Sequence, residues 1–401
     1  MKFAIYGVNF NNKGAELMLY AVKQQIQEWN KNNTLAADLR LGGFKQRNKL
    51  GINHLVYRDL DTISANTIST KGKIISWAAN ISPTNIFQKY NITLEAEVDT
   101  ILDASGFAYS DQWGFQTTEE MASLYSKWKK EGKKIILLPQ AFGPFTSEKI
   151  KYAFSQIVDN TDLIFARDEI SYECIDQLGV PMDHVKTAPD FTNLVQGIEP
   201  SYIKDVIGKA CIIPNIRMID KTSSELSRAY LSFLSLTIEY LLDKGLKPFI
   251  LLHQVTDFEL GRQLQAQVTR TIPVIQEDNP LHIKGILGKC HLVISSRFHG
   301  LISALSQGIP CLGTGWSHKY QMLFKSYDCI DLLVNLEKDV EYNLKKLDLI
   351  ICEPTRGEII ESINRAANCQ KALAQEMWSD VTALIDPKSP SLERQQPCLN
   401  A

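Results

Sequence analysis

An α/β protein with two open, parallel-sheet, Rossmann-like domains facing a cleft is what this chain predicts, on three observations. Its 401 residues exceed what one typical core holds. Short β-like apolar runs alternate with longer amphipathic segments through both halves, as in a parallel sheet with helical crossovers. That alternation resets near residues 190 to 205, where Ile198-Glu199-Pro200-Ser201 reads as a linker. The expected domains are therefore 1–196 and 197–386, with a frayed tail over 387–401.

In order, Lys2 to Gly7 reads as a strand and Gly14 to Trp29 as a helix, with Leu17, Ala21, Val22 and Ile26 near helical spacing. Leu35 to Leu41 is the next strand, and from Gly42 to about Tyr90 the pattern weakens. It returns with strand Val98–Leu102, helix Thr118–Lys130 before a capping Gly132, strand Lys133–Pro139, strand Leu163–Ala166, and a helix running to Gly179. The second half repeats the pattern. Strands are expected at Ala210–Ile213, Pro248–Leu252, Pro273–Ile275, Leu292–Ile294 and Cys311–Gly313, and helices at Ser223–Leu242, Asp257–Ala266 and Leu301–Gln307. Ligands in such sheets bind beyond the carboxyl ends of the strands.

Hydrophobic content of 44% and charged content of 22% are those of an ordinary globular protein. A formal net charge of −2 supplies no basic field for wrapping nucleic acid. The N-terminal apolar run is too short for a signal peptide, and nothing approaches the roughly 18 apolar residues of a membrane span. A cytosolic protein is expected. Eight scattered cysteines without a C-x-x-C pair suggest buried thiols rather than zinc or disulfides.

The most informative stretch is Ser295-Ser296-Arg297-Phe298-His299-Gly300, between a strand and an apolar helix. A helix N-terminus directs backbone N–H groups and partial positive charge at whatever docks there. Arg297 adds a fork of donors suited to phosphate or carboxylate, and His299 adds a group that exchanges protons near neutral pH. A turn-capping histidine and a surface ion pair are the plainer alternatives.

Other strand ends carry further candidates. Arg217 follows Ile213-Pro214-Asn215-Ile216 and could clamp a carboxylate, while His253, followed by Gln254 and Asp257, could be catalytic or a buried turn histidine. Asn9, Asn11, Asn12 and Lys13 lie between Gly7 and Gly14, suited to hydroxyls or phosphate, or simply to a turn. The spacing there is neither G-x-G-x-x-G nor a P-loop. Asp103, Asp168 and Asp190 stand where a general base for a hydroxyl would be placed. Lys71 to Tyr90 mixes lysines with Trp77, Ile81 and Phe87, which suits a lid, a packed helix or a membrane-surface contact.

These motifs, taken in order, resemble the polysaccharide pyruvyl transferase family over nearly the full length. The strongest match is His291 to Pro310, containing Arg297-Phe298-His299-Gly300. Supporting it are Tyr6 to Glu16, Pro139 to Pro144, Ala166-Arg167-Asp168 and Ala188-Pro189-Asp190. The loop Asp103-Ala104-Ser105-Gly106-Phe107 departs from the consecutive glycines usual in that family. The resemblance implies a fold like that of the B-type glycosyltransferases. It also implies transfer of pyruvate from phosphoenolpyruvate onto two hydroxyls of a sugar as a cyclic ketal, with no cofactor. In that reading His299 and Arg297 are catalytic, and Arg217, Ser295, Ser296 and Gly300 hold the donor in the C-terminal domain. Asn9, Asn11, Asn12, Lys13 and Asp103 meet the acceptor in the N-terminal domain, and Asp190 or His253 serves as general base. The acceptor is a surface or exopolysaccharide saccharide, free or lipid-linked, met in the cytoplasm or at the inner face of the membrane. The competing readings are a nucleotide-sugar-dependent glycosyltransferase of the same fold and a non-catalytic carbohydrate-binding relative.

Overall fold

The computed structural model describes residues 1–38, 41–57, 89–315 and 317–387. The stretch Lys71 to Tyr90, up to residue 88, and the tail from 388 lie outside them. The chain forms two compact units. One contains Met1–Phe10, Met18–Asp190 and the stretch from Gln375; the other contains Asn11–Leu17 and Phe191–Ala374. The expected division at 196/197 had placed residues 11–17 in the first domain and the last helix wholly in the second.

In the first unit the elements run β1 (Lys2–Tyr6), α1 (Lys13–Trp29), β2 (Thr34–Asp38), α2 (Phe44–Lys49), β3 (Asn53–Val56), β4 (Ile92–Leu94), β5 (Thr100–Asp103), α3 (Phe115–Lys130), β6 (Lys134–Gln140), α4 (Glu148–Asp159), β7 (Leu163–Ala166), α5 (Glu169–Asp176) and β8 (Val185–Thr187). All eight strands are parallel, in the order β4-β3-β2-β1-β5-β6-β7-β8. Phe3 to Tyr6 and Ile135 to Leu138 are buried without alternation, because helices cover both faces of a parallel sheet. Gly132, at φ 78°, closes α3 in the left-handed conformation that a side chain would strain. Asp168 caps α5, its carboxylate accepting from Ser171 N at 2.8 Å, a contact typical of helix starts and worth about 1 kcal/mol. It is therefore a cap rather than a free base.

The second unit continues with β9 (Ala210–Ile213), α6 (Arg217–Asp220), α7 (Ser224–Asp243), β10 (Phe249–Leu252), α8 (Phe258–Gln267), β11 (Val274–Gln276), α9 (Pro280–Leu287), β12 (Leu292–Ser295), α10 (Phe298–Leu305), β13 (Cys311–Gly313), α11 (His318–Ser326), α12 (Val340–Ile351) and α13 (Thr355–Ile385). Its five parallel strands are ordered β11-β10-β9-β12-β13. At 31 residues α13 is about 46 Å long, more than one small core can cover, and its C-terminal part packs with the first unit. No helix among the described residues is long and apolar enough to cross a membrane. Their seven cysteines are free thiols, of which Cys211, Cys290, Cys311 and Cys329 are buried.

Strand order locates a functional edge in each sheet. The chain builds outward from β9 through β10 to β11, then returns to β9's other side with β12. The crevice at such a reversal, beyond the carboxyl ends, is the preferred ligand position. In the second sheet it falls between the loops after Ile213 and after Ser295.

Candidate active site

Helix α10 begins three residues earlier than the spacing predicts. Arg297 takes the N-cap position at φ −97°, ψ 116°, and Phe298 and His299 are already helical. The turn is made by Ser295, whose Oγ accepts from Arg297 N at 2.9 Å. Ser296 is clamped more heavily. Its Oγ lies 2.5 Å from Tyr230 Oη, and its carbonyl accepts from Asn215 Nδ2 at 2.8 Å and Tyr320 Oη at 2.9 Å. Both serine hydroxyls, expected on the donor, thus bond within the turn. Burial pushes the Tyr230 phenol up to about 12, so it remains a neutral hydrogen-bonding group. Gly300 has a packing reason, since a Cβ there would lie 3.0 Å from Ser295 Oγ and 3.1 Å from Ile213 Cδ1.

The Arg297 side chain is buried, and its Nη2 donates to Asp257, which is completely buried at the start of α8. His253, at the end of β10, is buried too, and its Nδ1 has no hydrogen-bond partner among the described residues. Burial, reinforced by Arg297, His299 and Lys13, holds its imidazole well below the usual histidine range. That cationic surrounding argues against His253 as the general base, because it opposes the proton a base must accept.

His299 stands in the first turn of α10 with its ring against Gly14. A Cβ added at Gly14 would lie 2.7 Å from His299 Cγ. This first turn of α1 belongs to the second unit. There Lys13 Nζ bonds Glu16 Oε2 at 2.9 Å, and Asn12 shapes the turn, its Oδ1 accepting from Gly14 N at 3.0 Å. Asn11 is exposed. Lys13, His253, Arg297 and His299 thus share one electrostatic environment at the second sheet's reversal point.

Other candidates are engaged by partners of their own. Arg217 begins a four-residue helix and pairs with Asp220 at 2.5 Å, its side chain 47% exposed, so no buried clamp is formed. Asp103, expected on the acceptor, is 0% exposed in the first unit. Its carboxylate accepts from Ser105 N at 2.8 Å and from Ser105 Oγ, Tyr109 Oη and Tyr125 Oη at 2.5 Å each. Four protein donors saturate a carboxylate, which corrects the expectation. The same loop explains its departure from consecutive glycines. Ser105 bonds back to Asp103, and the close backbone approach needs a glycine on the other side, at Gly7 with φ 79°. Asp190, expected as a possible general base, is held in a buried ion pair, its Oδ2 3.3 Å from Arg167 Nη1. Asn9 is half-buried and falls in the first unit.

Asp257 was missed as a site residue. Its signal was faint, a lone acid four residues after His253, and its partner lies 40 positions on. Gly14 also went unassigned, since one glycine at a helix start carries no pattern. Among the described residues, no group of three or more His, Cys, Asp or Glu side chains is placed to hold a metal.

Solved structures that share the two-sheet fold include the following three. HepE of Anabaena in complex with UDP-glucose is 12% identical, covering 96% of this chain and 100% of that one at a TM-score of 0.59. UDP-GlcNAc 2-epimerase of Neisseria meningitidis bound to UDP-GlcNAc is 13% identical, over 96% and 100%, at 0.55. A glycosyltransferase from Rickettsia africae is 14% identical, over 97% and 99%, at 0.55. At such identities the likeness is one of fold, that of the B-type glycosyltransferases and related epimerases. The amylovoran biosynthesis protein AmsJ of Erwinia amylovora is 19% identical over 330 residues, 76% of this chain and 77% of that protein. Residues 12–318, which include the whole Arg297–His299 turn and the Lys13–Gly14 turn beside it, match the polysaccharide pyruvyl transferase family. The chain belongs to that family, and is thereby a transferase of polysaccharide biosynthesis.

Proposed function

We propose that the protein transfers pyruvate from phosphoenolpyruvate onto two hydroxyls of a saccharide as a cyclic ketal, releasing phosphate. What carries the reading is Arg297 and His299 at the N-terminal turn of α10, beside Lys13 and at the reversal point of the second sheet, within the matched residues. A small donor bearing a carboxylate and a phosphate calls for a fork of N–H donors, a second cation and a proton carrier. One sugar oxygen bonds to the enol carbon as the methylene carbon gains a proton. The bond to phosphate breaks, and the second sugar oxygen closes the ring on the same carbon. Of the two hydroxyl protons lost, one ends on the new methyl group and the other leaves with phosphate. No step changes the overall oxidation state, so no redox cofactor is called for. In this reading Arg297 and Lys13 hold the anionic donor, and a His299 ring nitrogen carries the proton. The acceptor is a polysaccharide precursor, free or lipid-linked, in the cytoplasm or at the inner membrane face.

The test is incubation with phosphoenolpyruvate and a panel of oligosaccharides, reading phosphate release and a product mass equal to sugar plus pyruvate less water. His299→Ala should abolish turnover with nearly unchanged melting temperature, whereas Arg297→Ala should abolish turnover and lower the melting temperature as well, because it leaves the buried Asp257 carboxylate unpaired. Absence of turnover across a broad panel, with stabilisation by UDP-sugars but not by phosphoenolpyruvate, favours a nucleotide-sugar glycosyltransferase instead. Saccharide binding without any donor binding favours a non-catalytic relative.

A further inference from the structure

Arg297 occupies an unfavourable place. As N-cap of α10 it sets a positive charge at the positive end of the helix dipole, and its own side chain supplies no cap. It is also buried, and a buried ion pair is weak ground for stability, since apolar replacements of such pairs are often neutral or better. Some other requirement keeps the pair.

The geometry of Asp257 points to that requirement. Its Oδ1 accepts from Arg297 Nη2 and, at 3.1 Å, from the backbone N–H of Ile216. Asp257 itself is anchored by its own N–H, donated to Gln254 O at 3.0 Å. One carboxylate oxygen thus ties the loops after β9, β10 and β12, the three adjacent strands that frame the reversal point. The pair is single-pronged. Asp257 Oδ2 and Arg297 Nε are buried without hydrogen-bond partners among the described residues. A guanidinium has five N–H donors, so most of this fork remains to be met by something else.

We propose that Asp257 is a positioning residue that fixes the Arg297 guanidinium so that its remaining N–H donors face the anionic donor substrate. The inference rests on the pyruvyl-transfer reading for the identity of that anion, though not for the geometry. Asp257 touches no substrate; it acts through Arg297, at the site where the α10 turn is already held rigid by Tyr230, Asn215 and Tyr320.

Three variants test it: Asp257→Asn, Arg297→Lys and the two combined, each assayed for phosphate release against phosphoenolpyruvate concentration and for melting temperature. Asp257→Asn keeps the shape and removes the charge that orients the guanidinium. KM for phosphoenolpyruvate should rise by about tenfold to a hundredfold, with a smaller change in kcat, as expected when a binding group is misplaced by about 1 Å. In the double variant the two losses should be far from additive, because both pass through one guanidinium. Additive losses, or an unchanged KM in folded Asp257→Asn, overturn the proposal. Should Asp257→Asn fail to fold, Asp257→Glu retains the charge on an arm one methylene longer. A KM rise at unchanged melting temperature then supports the proposal, and a wild-type KM refutes it. Should the wild-type protein show no turnover with phosphoenolpyruvate, the functional reading fails on its own. The positioning role is then decided by crystal structures of wild type and Asp257→Asn: a guanidinium that swings away supports it, and one that stays in place overturns it.

Discussion

Replacing Gly14 by alanine adds one methyl group where the His299 ring now lies. The new Cβ would stand 2.7 Å from His299 Cγ and 3.0 Å from His299 Cβ, whereas carbon atoms rest about 3.5–4.0 Å apart. One of the two must give way by about 1 Å. Gly14 is not among the glycines with positive φ, so alanine meets no backbone strain, and in a helix it is favoured over glycine by up to about 1 kcal/mol. That gain offsets part of an overpacking cost of about 1–3 kcal/mol, and the melting temperature should move by only a few degrees. Activity should respond far more. A reacting group displaced by about 1 Å loses on the order of a hundredfold in rate.

The assay is phosphate release at saturating phosphoenolpyruvate, with a thermal melt on the same samples. The companion is the double variant Gly14→Ala with His299→Ala, in which the clash is gone and the glycine change should cost nothing further. Wild-type turnover by folded Gly14→Ala would show that the His299 ring need not stand where it does. A large loss of melting temperature would make the contact one of packing alone.

Three further outcomes are expected. Asp103→Asn should destabilise the first unit by about 2–4 kcal/mol in a urea titration, because the buried Tyr109 and Tyr125 hydroxyls lose a charged acceptor; a stable variant with a raised acceptor KM would restore Asp103 to the acceptor site. Binding of phosphoenolpyruvate should raise the His253 titration midpoint, followed by NMR of its ring carbons. The negative ligand opposes the basic groups that, after burial, hold His253 low; a midpoint that stays in place or falls would dismiss this. His54 stacks on Phe44 at 4.4 Å with neither ring nitrogen hydrogen-bonded among the described residues, and burial, then Arg47, depress it from 6.5 to about 4. The unfolded chain therefore binds a proton that the fold resists between those values, so stability falls as pH drops from about 6.5 toward 4. His54→Phe should flatten that slope in melts, and an unaltered slope would assign it elsewhere.

Periodicity reveals what is buried on both faces and little else. Leu163–Ala166, Ala210–Ile213 and Cys311–Gly313 are strands at the residues the apolar runs mark. Val185–Thr187 escapes notice because Lys186 and Thr187 are exposed on an edge strand, and α4 and α9 also go unread, though Asn279-Pro280 is a good helix start. Within the site, the strand, turn and helix around Arg297 are contiguous and so can be read from sequence. Its partners come from other strand ends: Asp257 from 40 residues away and Gly14 from α1. Asp103 and Asp190 sit at strand ends as a general base would, but the pattern of the chain says nothing of the tyrosines and the arginine that engage them. A candidate carboxylate is recognisable by position, and its availability only by its neighbours.

The charges of the site come in pairs, and this bears on how a multiply charged donor is held. Lys13 bonds Glu16 and Arg297 bonds Asp257, so each fixed cation has a carboxylate partner. The chain as a whole carries a formal charge of −2 and offers no field to gather anions from a distance. Yet Arg297, His299 and Lys13 all act on His253, so these basic groups are gathered within one short range inside the site. Attraction of this kind acts at contact, on buried groups that salt screens weakly. Affinity for phosphoenolpyruvate should therefore fall less than about threefold between 50 and 300 mM potassium chloride, well within one Debye-screened surface contact. Arg297→Lys, which keeps the charge and removes the planar fork, should weaken it more than that range of salt does. A steep salt dependence with a tolerated lysine would mean that net charge, and not the oriented guanidinium, holds the donor.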